Sequence, residues 1–328
     1  MAAQVGAARS SRHPSSYSVT KIQDVKRGFK DLLVGDLTEK GVVVGGCYDE
    51  KVEHYRPFSF SSGKFTALGG SDDIANANAA NDAGLVAGAI YQPYRDSAAT
   101  FACVWKHGKR TNLGSISGTG AGEALGMNSA GDIVGTSESK DNGNTHATLW
   151  KHGKIVDLGT LGGNLSWAYA INGKGQIAGI STRSPEDDSA QHGFLWDAGK
   201  MTDLGTLGGD LSSGYKITEK GQVFGYSTIV AGSLSDQPRG RPFVWEKGEI
   251  KAIAPEGSRV EDISESGQRI GAQNGSAAIW IGDEPADLNT LVSGAEGVTF
   301  DLGTEVNGNG VIVVHADDGS YYLGTPKK

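Results

Sequence analysis

A unit of about 45 residues recurs along the whole chain, and a repeat of that length limits the fold to stacked or ring-closed architectures. The clearest copy runs Ala168-Tyr-Ala-Ile-Asn172, Gly175-Gln-Ile-Ala-Gly179, His192-Gly-Phe-Leu-Trp196, Gly199 and Thr202-Asp-Leu-Gly-Thr-Leu-Gly-Gly209. The copy before it has Ala124-Leu-Gly-Met-Asn128, Gly131-Asp-Ile-Val-Gly135, His146-Ala-Thr-Leu-Trp150, Gly153 and Val156-Asp-Leu-Gly-Thr-Leu-Gly-Gly163. The glycine ending the second block returns at Gly45, Gly88, Gly135, Gly179, Gly225 and Gly271, with Val314 in its place last. The spacings are 43, 47, 44, 46, 46 and 43 residues. The aromatic ending the third block falls at Phe60, Trp105, Trp150, Trp196, Trp245 and Trp280, with Leu323 in the last unit, so there are seven units.

Each unit holds four short apolar runs containing β-branched and aromatic residues, separated by Asn-Gly, Lys-Gly or Gly-Lys turn signals. Four strands per unit is the content of a propeller blade. No stretch shows the 3.6-residue periodicity that a helical solenoid needs. The 50 glycines among 328 residues suit many tight turns, and 9 prolines without a triplet period exclude collagen-like or Pro-rich disordered chains.

The fold expected is therefore all-β: a single seven-bladed β-propeller with four-stranded blades over residues 16–328, preceded by a flexible N-terminal segment, residues 1–15. The last unit stops after its third strand at Tyr321-Tyr-Leu323, while Tyr17 to Ile22 precedes the first unit without a partner. Ser18 to Ile22 is expected to supply the missing outer strand, closing the ring and removing two sheet edges. By the same logic the Asp-Leu-Gly run is the outermost strand, Ala-x-x-Ile-Asn the innermost, and the Trp strand the third.

The net charge of −8, without a basic stripe, argues against a nucleic-acid partner. No apolar run approaches a membrane span, and Met1 to Ser16 lacks the apolar core of a signal peptide. Cys47 and Cys103, in no metal-like or redox spacing, read as buried small hydrophobes. A monomer is expected.

His146-Ala-Thr-Leu-Trp150, His192-Gly-Phe-Leu-Trp196 and the two Asp-Leu-Gly-Thr-Leu-Gly-Gly runs beginning at Asp157 and Asp203 resemble the HAF-repeat family of bacterial proteins. The resemblance covers nearly the whole chain and implies an extracellular or periplasmic location. It brings no established activity and no catalytic residues.

Function should sit with the long loops after each second strand: Cys47 to Tyr55, Tyr91 to Ala98, Ser137 to Thr145, Ser181 to Gln191 and Thr228 to Gly240. The Trp column reads as packing between blades. His146, His192, Arg56 and Arg241 share the column that starts the third strand; they either hydrogen-bond neighbouring loops or contact an anion or sugar hydroxyls. The innermost strands carry Asp36, Ala79, Gly126, Ala170, Lys216, Asp262 and Glu305 in one column, so one side of the channel is charged. Asp36, Asp262, Glu305 and Lys216 are the candidate catalytic groups. The three carboxylates are also the only candidates for a divalent cation, the one cofactor the sequence leaves open. Lys216 paired to its neighbours in a water-filled channel is the alternative. Trp167, Tyr169 and Tyr215 are candidates for stacking on a ligand, or for capping the core.

Two functions remain open. One is a secreted or surface recognition propeller that binds a glycan, a small molecule, a cell-surface component or a protein on the long-loop face. The other is a polymer-acting hydrolase or lyase using the acidic channel column. No nucleophile elbow, zinc-protease, Walker or EF-hand motif is present to decide between them.

Overall fold

The computed structural model describes residues 16–23, 29–70, 73–94, 97–141, 143–230, 240–255, 257–280 and 282–327. The N-terminal segment 1–15 lies outside the described residues.

Seven sheets form the blades of a β-propeller; in six of them the four antiparallel strands follow chain order from the centre outward, and the seventh is completed by the N-terminal strand. In blade 4 these are Ser166–Ile171, Ile177–Ser184, Asp187–Asp197 and Lys200–Asp203. The innermost strands of blades 1 to 7 are Phe29–Leu37, Ala75–Ala80, Gly122–Met127, Ser166–Ile171, Ser212–Ile217, Arg259–Ile263 and Phe300–Val306. The third strands begin on the long-loop face and return to the opposite one, where in blades 1 to 5 they turn into the fourth through two-residue hairpins. His152-Gly153 is one such hairpin, with φ of 49° and 74°, the left-handed pair that matches strand twist in a type I′ turn.

Closure follows the expected route. Tyr17–Lys21 pairs antiparallel with Tyr321–Pro326, placing Thr20 opposite Leu323 and Lys21 opposite Tyr322, and the Ile22 N–H donates to the Tyr321 carbonyl at 2.8 Å. Tyr17 and Ile22 are buried by this pairing. A two-residue strand, Val292–Ser293, adds in parallel outside Tyr17 and Ser18, so the closing blade has a fifth strand that no repeat column announces.

Two sequence expectations need correction. The outermost strands end at the aspartate, as Lys154–Asp157 and Lys200–Asp203, and the Leu-Gly-Thr-Leu-Gly-Gly run that follows is the crossover to the next blade. The strand stops because the Asp157 carboxylate accepts the Gly159 N–H at 2.8 Å and Gly159 turns at φ 74°, which sends Leu158 into the core between blades. Leu204 does the same in blade 4. In addition, much of the expected loops Tyr91 to Ala98 and Ser181 to Gln191 is strand: Leu85–Tyr94 with Ser97–Lys106, and Ile177–Ser184 with Asp187–Asp197, are long ribbons projecting beyond the ring.

Every innermost strand has a β-bulge at the same register position, and those of blades 1 and 7 have a second irregularity nearer the long-loop face. The residues left unpaired by the shared bulge are Gly35, Asn78, Leu125, Tyr169, Tyr215, Glu261 and Thr304, each just before the column that runs Asp36 to Glu305. The bulge explains the glycine column. A Cβ on Gly179 would lie 2.0 Å from the Trp167 carbonyl oxygen, and one on Gly135 would lie 1.9 Å from that of Glu123, so no side chain fits without backbone movement.

Between blades, the core is aliphatic and aromatic. Trp150 packs with Ala87, Ala102 and Ala124 and donates from Nε1 to the Gly114 carbonyl at 3.0 Å; Trp105 and Trp280 are almost fully buried. The Trp column is thus a packing column, as expected. A ring of polar bonds supplements it at the far end of the inner strands. Asn128 donates to the Asn172 carbonyl at 3.0 Å, Asn172 to that of Thr218 at 2.9 Å, and Asn307 to that of Thr38 at 2.9 Å. Each asparagine also accepts two N–H groups of its own turn, which satisfies the buried amide.

Candidate functional site

The bulged strands surround a central cavity of about 460 Å³. All seven residues of the inner column, Asp36, Ala79, Gly126, Ala170, Lys216, Asp262 and Glu305, line it, together with Tyr169, Tyr215, Asn78 and Glu261 from the bulges. Because these positions belong to the second halves of the inner strands, the cavity occupies the part of the channel nearer the turns into the second strands. Trp167 lies before the bulge, nearer the long-loop face, and is not among the residues lining it.

Asp36 and Asp262 do the same mechanical work in different blades. Asp36 Oδ2 accepts the Ala80 N–H of blade 2 at 2.8 Å, and Asp262 Oδ2 accepts the Val306 N–H of blade 7 at 2.9 Å, so each clips the next inner strand. Asp36 also accepts its neighbour's N–H, from Leu37 at 2.8 Å. The remaining oxygen of Asp262 takes the Lys216 ammonium at 2.7 Å. Lys216 and Glu305 are the two charged members of the column that clip no backbone.

The electrostatics follow from three carboxylates meeting one ammonium. Burial pushes the Glu305 carboxyl well above the usual carboxylate range, and the charge of Asp262 raises it further, against the pull of Lys216. Burial likewise raises Asp36, although Lys216 and the two N–H bonds act the other way. Lys216 keeps 36% of its side chain exposed to the channel; burial lowers its pKa, but Asp262, Glu305 and Asp36 outweigh that and hold it above its ordinary value. The arrangement is the Asp262–Lys216 ion pair with a further buried carboxyl, Glu305, whose pKa is raised, beside it. Tyr215 belongs to this side, with its hydroxyl donating to the Val260 carbonyl at 2.8 Å.

On the other side the structure adds a residue that sequence reading missed. Asn78 donates from Nδ2 to Glu123 at 3.0 Å and to the Ala124 carbonyl at 2.9 Å. Burial raises the Glu123 carboxyl, opposed by the Asn78 bond, and its charge adds to the raising of the Tyr169 and Tyr91 hydroxyls after burial. Blades 2 to 4 are therefore not wholly neutral. Among the described residues no group of three or more His, Cys, Asp and Glu side chains is arranged to hold a metal ion.

The rim donors are used within the chain. His146 Nδ1 meets the Asp157 carboxylate at 3.0 Å, and His192 Nδ1 meets that of Asp203 at 2.8 Å, tying the third strand to the end of the fourth. Arg56 binds Asp49 at 3.1 Å and the Gly70 carbonyl at 3.2 Å, and Arg241 holds the Ala254 carbonyl at 3.0 and 3.1 Å. His192 also lines a separate cleft on the long-loop face. Cys47 and Cys103 are buried thiols in blades 1 and 2, and burial pushes Cys103 up to about 12. No helix among the described residues is long and apolar enough to cross a membrane.

No protein-family model matches the sequence, and no curated protein matches it. Among solved structures the chain is similar to the β-propeller domain of the Trilobed protease from Pyrococcus furiosus, with 12% identity and a TM-score of 0.58 over 91% of this chain and 97% of that one. That domain is described as having an open velcro topology, whereas here the N-terminal strand closes the ring. A catalytically inactive virginiamycin B lyase from Staphylococcus aureus with quinupristin is 12% identical, with a TM-score of 0.53 over 94% of this chain and 99% of that one. TolB from Acinetobacter baumannii is 15% identical with a TM-score of 0.47, and the match spans 88% of this chain and 64% of TolB. At such identities the likeness establishes the propeller fold alone.

Proposed function

We propose that this protein is a recognition propeller that takes a small, hydroxyl- or amine-bearing molecule into the central cavity, with Glu305 and Lys216 as its principal polar contacts. One observation carries the reading: these two side chains line a cavity of about 460 Å³ and clip no strand, whereas Asp36, Asp262 and the rim donors Arg56, His146 and Arg241 are engaged in holding the fold. A cavity of that size holds a molecule of about mono- to disaccharide dimensions. Tyr169 lines the same cavity and adds aromatic surface to it. The resemblance to HAF-repeat proteins supports an extracellular or periplasmic setting, in which glycans are abundant ligands. A divalent cation is the weaker candidate, because the Lys216 ammonium already supplies counter-charge to the carboxylates.

A second reading is turnover of the bound molecule as a hydrolase or lyase, favoured by the raised pKa of the buried Glu305 carboxyl beside the Asp262–Lys216 pair; a carboxyl of that kind can serve as a general acid. One experiment tests both. Wild type and Glu305→Gln are incubated with neutral sugars, amino sugars and polyols, and binding is followed by calorimetry and products by mass spectrometry. Binding without products, weakened in Glu305→Gln, supports recognition. Products that vanish in the variant move the assignment to an enzyme, and an absence of both rejects the cavity as the site.

A further inference from the structure

A second cavity, about 510 Å³, lies on the long-loop face between blades 4 and 5. It is walled by the projecting ribbon Ile177–Ser184 and Asp187–Asp197 on one side and by the crossover from blade 4 to blade 5 on the other. His192 lines it with only 8% of its surface exposed. Its Nδ1 is held by Asp203 at 2.8 and 3.0 Å, so in the neutral ring the proton sits on Nδ1 and Nε2 remains as an acceptor. Asp203 is held in turn by the Gly205 N–H at 2.7 Å and by Arg183 Nε at 3.2 Å. The Arg183 side chain is half exposed, and among the described residues its two terminal nitrogens make no ion pair. Leu211 and Val230, the latter 49% exposed, provide apolar surface in the same cleft.

The same His-Asp pair occurs one blade earlier as His146 with Asp157, so the pair by itself is a device of the repeat. What blade 4 adds is Arg183, where blade 3 has Ser139, and the long ribbon that raises a wall beside the histidine. A fixed acceptor and a guanidinium donor beside an apolar floor match a pyranose, whose adjacent hydroxyls donate and accept while its C–H face packs on aliphatic carbon. A phosphate or carboxylate fits poorly, since Asp187 lines the same cleft and Asp203 lies behind His192.

We propose that this cleft is a second ligand site that binds the neutral sugar unit of a glycan, with Arg183 donating to one hydroxyl, His192 Nε2 accepting from another, and Leu211 and Val230 under the ring. It is independent of the central cavity, and a ligand held in both would be gripped on two faces of one rigid ring.

The test uses the full chain and a panel of glucose, galactose, mannose, maltose, cellobiose and chitobiose, with glucuronate and inorganic phosphate for comparison, read by saturation-transfer NMR and calorimetry. At least one neutral sugar is expected to bind wild type, to weaken about tenfold in Arg183→Ala through loss of one charge-assisted hydrogen bond, and to weaken in Val230→Asp. Binding at the cleft is expected to persist in Glu305→Gln and in His146→Gln. Both cleft substitutions fall on half-exposed side chains, and thermal melting checks that the ring is intact. Failure of every neutral sugar to bind, retention of affinity in both cleft variants, loss in Glu305→Gln instead, or tighter binding of glucuronate or phosphate would each overturn the assignment.

Discussion

Asn307 donates its side-chain amide to the Thr38 carbonyl at 2.9 Å, joining residues 269 positions apart and fastening the last inner strand to the first. At the rim, the pairing of Tyr17–Lys21 with Tyr321–Pro326 repeats that closure. The ring is thus sealed at both radii by contacts between the two ends of the described chain.

Deleting residues 1–22 is expected to lower stability far more than deleting residues 1–15. Only the longer deletion removes Tyr17, Val19 and Ile22, all at least nine-tenths buried, whose burial contributes on the order of 5 kcal/mol in sum. Chemical denaturation of the two truncations measures this; coincident midpoints would show that the closing strand adds nothing.

The packing columns give a prediction with two arms. Trp150→Ala should cost about 3 to 5 kcal/mol through a large cavity between blades 2 and 3. Gly179→Ala should cost about 1 to 3 kcal/mol or more, although it adds a single methyl, because that methyl meets the Trp167 carbonyl that the bulge turns toward it. Wild-type-like melting of Gly179→Ala would mean that the bulge is not rigid.

Much of this could be read from the sequence. The repeat gave blade number and strand order, and the unmatched Tyr17 to Ile22 gave the closure. The bulges could not be read, because an inserted residue changes which side chains face the channel without disturbing the apolar columns on which the repeat was aligned. For that reason the sequence groups Trp167 with Tyr169 and Tyr215 as stacking candidates, although Trp167 lies before the bulge and only the two tyrosines line the cavity. Glu123 is hidden for a related cause: it occupies the column before the bulge, where Asn76, Trp167 and Arg259 also stand, and nothing in that mixed column marks a carboxylate that meets the channel residue Asn78. The clipping roles of Asp36 and Asp262 depend on atom positions that residue type does not reveal.

Stability should depend on pH through Glu305. Its pKa in the fold lies above its unfolded value of about 4.3, so the stability it contributes is complete below the unfolded value and is lost as pH rises through the folded one. Glu305→Gln mimics the protonated carboxyl at every pH. The variant should therefore melt above wild type at pH 8, with the gap closing toward pH 4.5. Removing the counter-charge should act in the opposite sense: Lys216→Met is expected to cost about 1 to 3 kcal/mol at pH 7, less than for a fully buried pair, because water in the channel screens it. A pH-independent gap between wild type and Glu305→Gln would show that Glu305 is ionised throughout.

The central claim is that Glu305, with Lys216 beside it, forms a binding site and is not needed to hold the ring. Its most direct test is calorimetric titration of wild type and Glu305→Gln with whichever member of the neutral-sugar, amino-sugar and polyol panel binds the central cavity, with thermal melting run in parallel at pH 7. The account predicts that Glu305→Gln melts no lower than wild type and binds at least about tenfold more weakly, the loss of one hydrogen bond to a buried charged or proton-sharing group. Unchanged affinity in a variant that folds normally would contradict it.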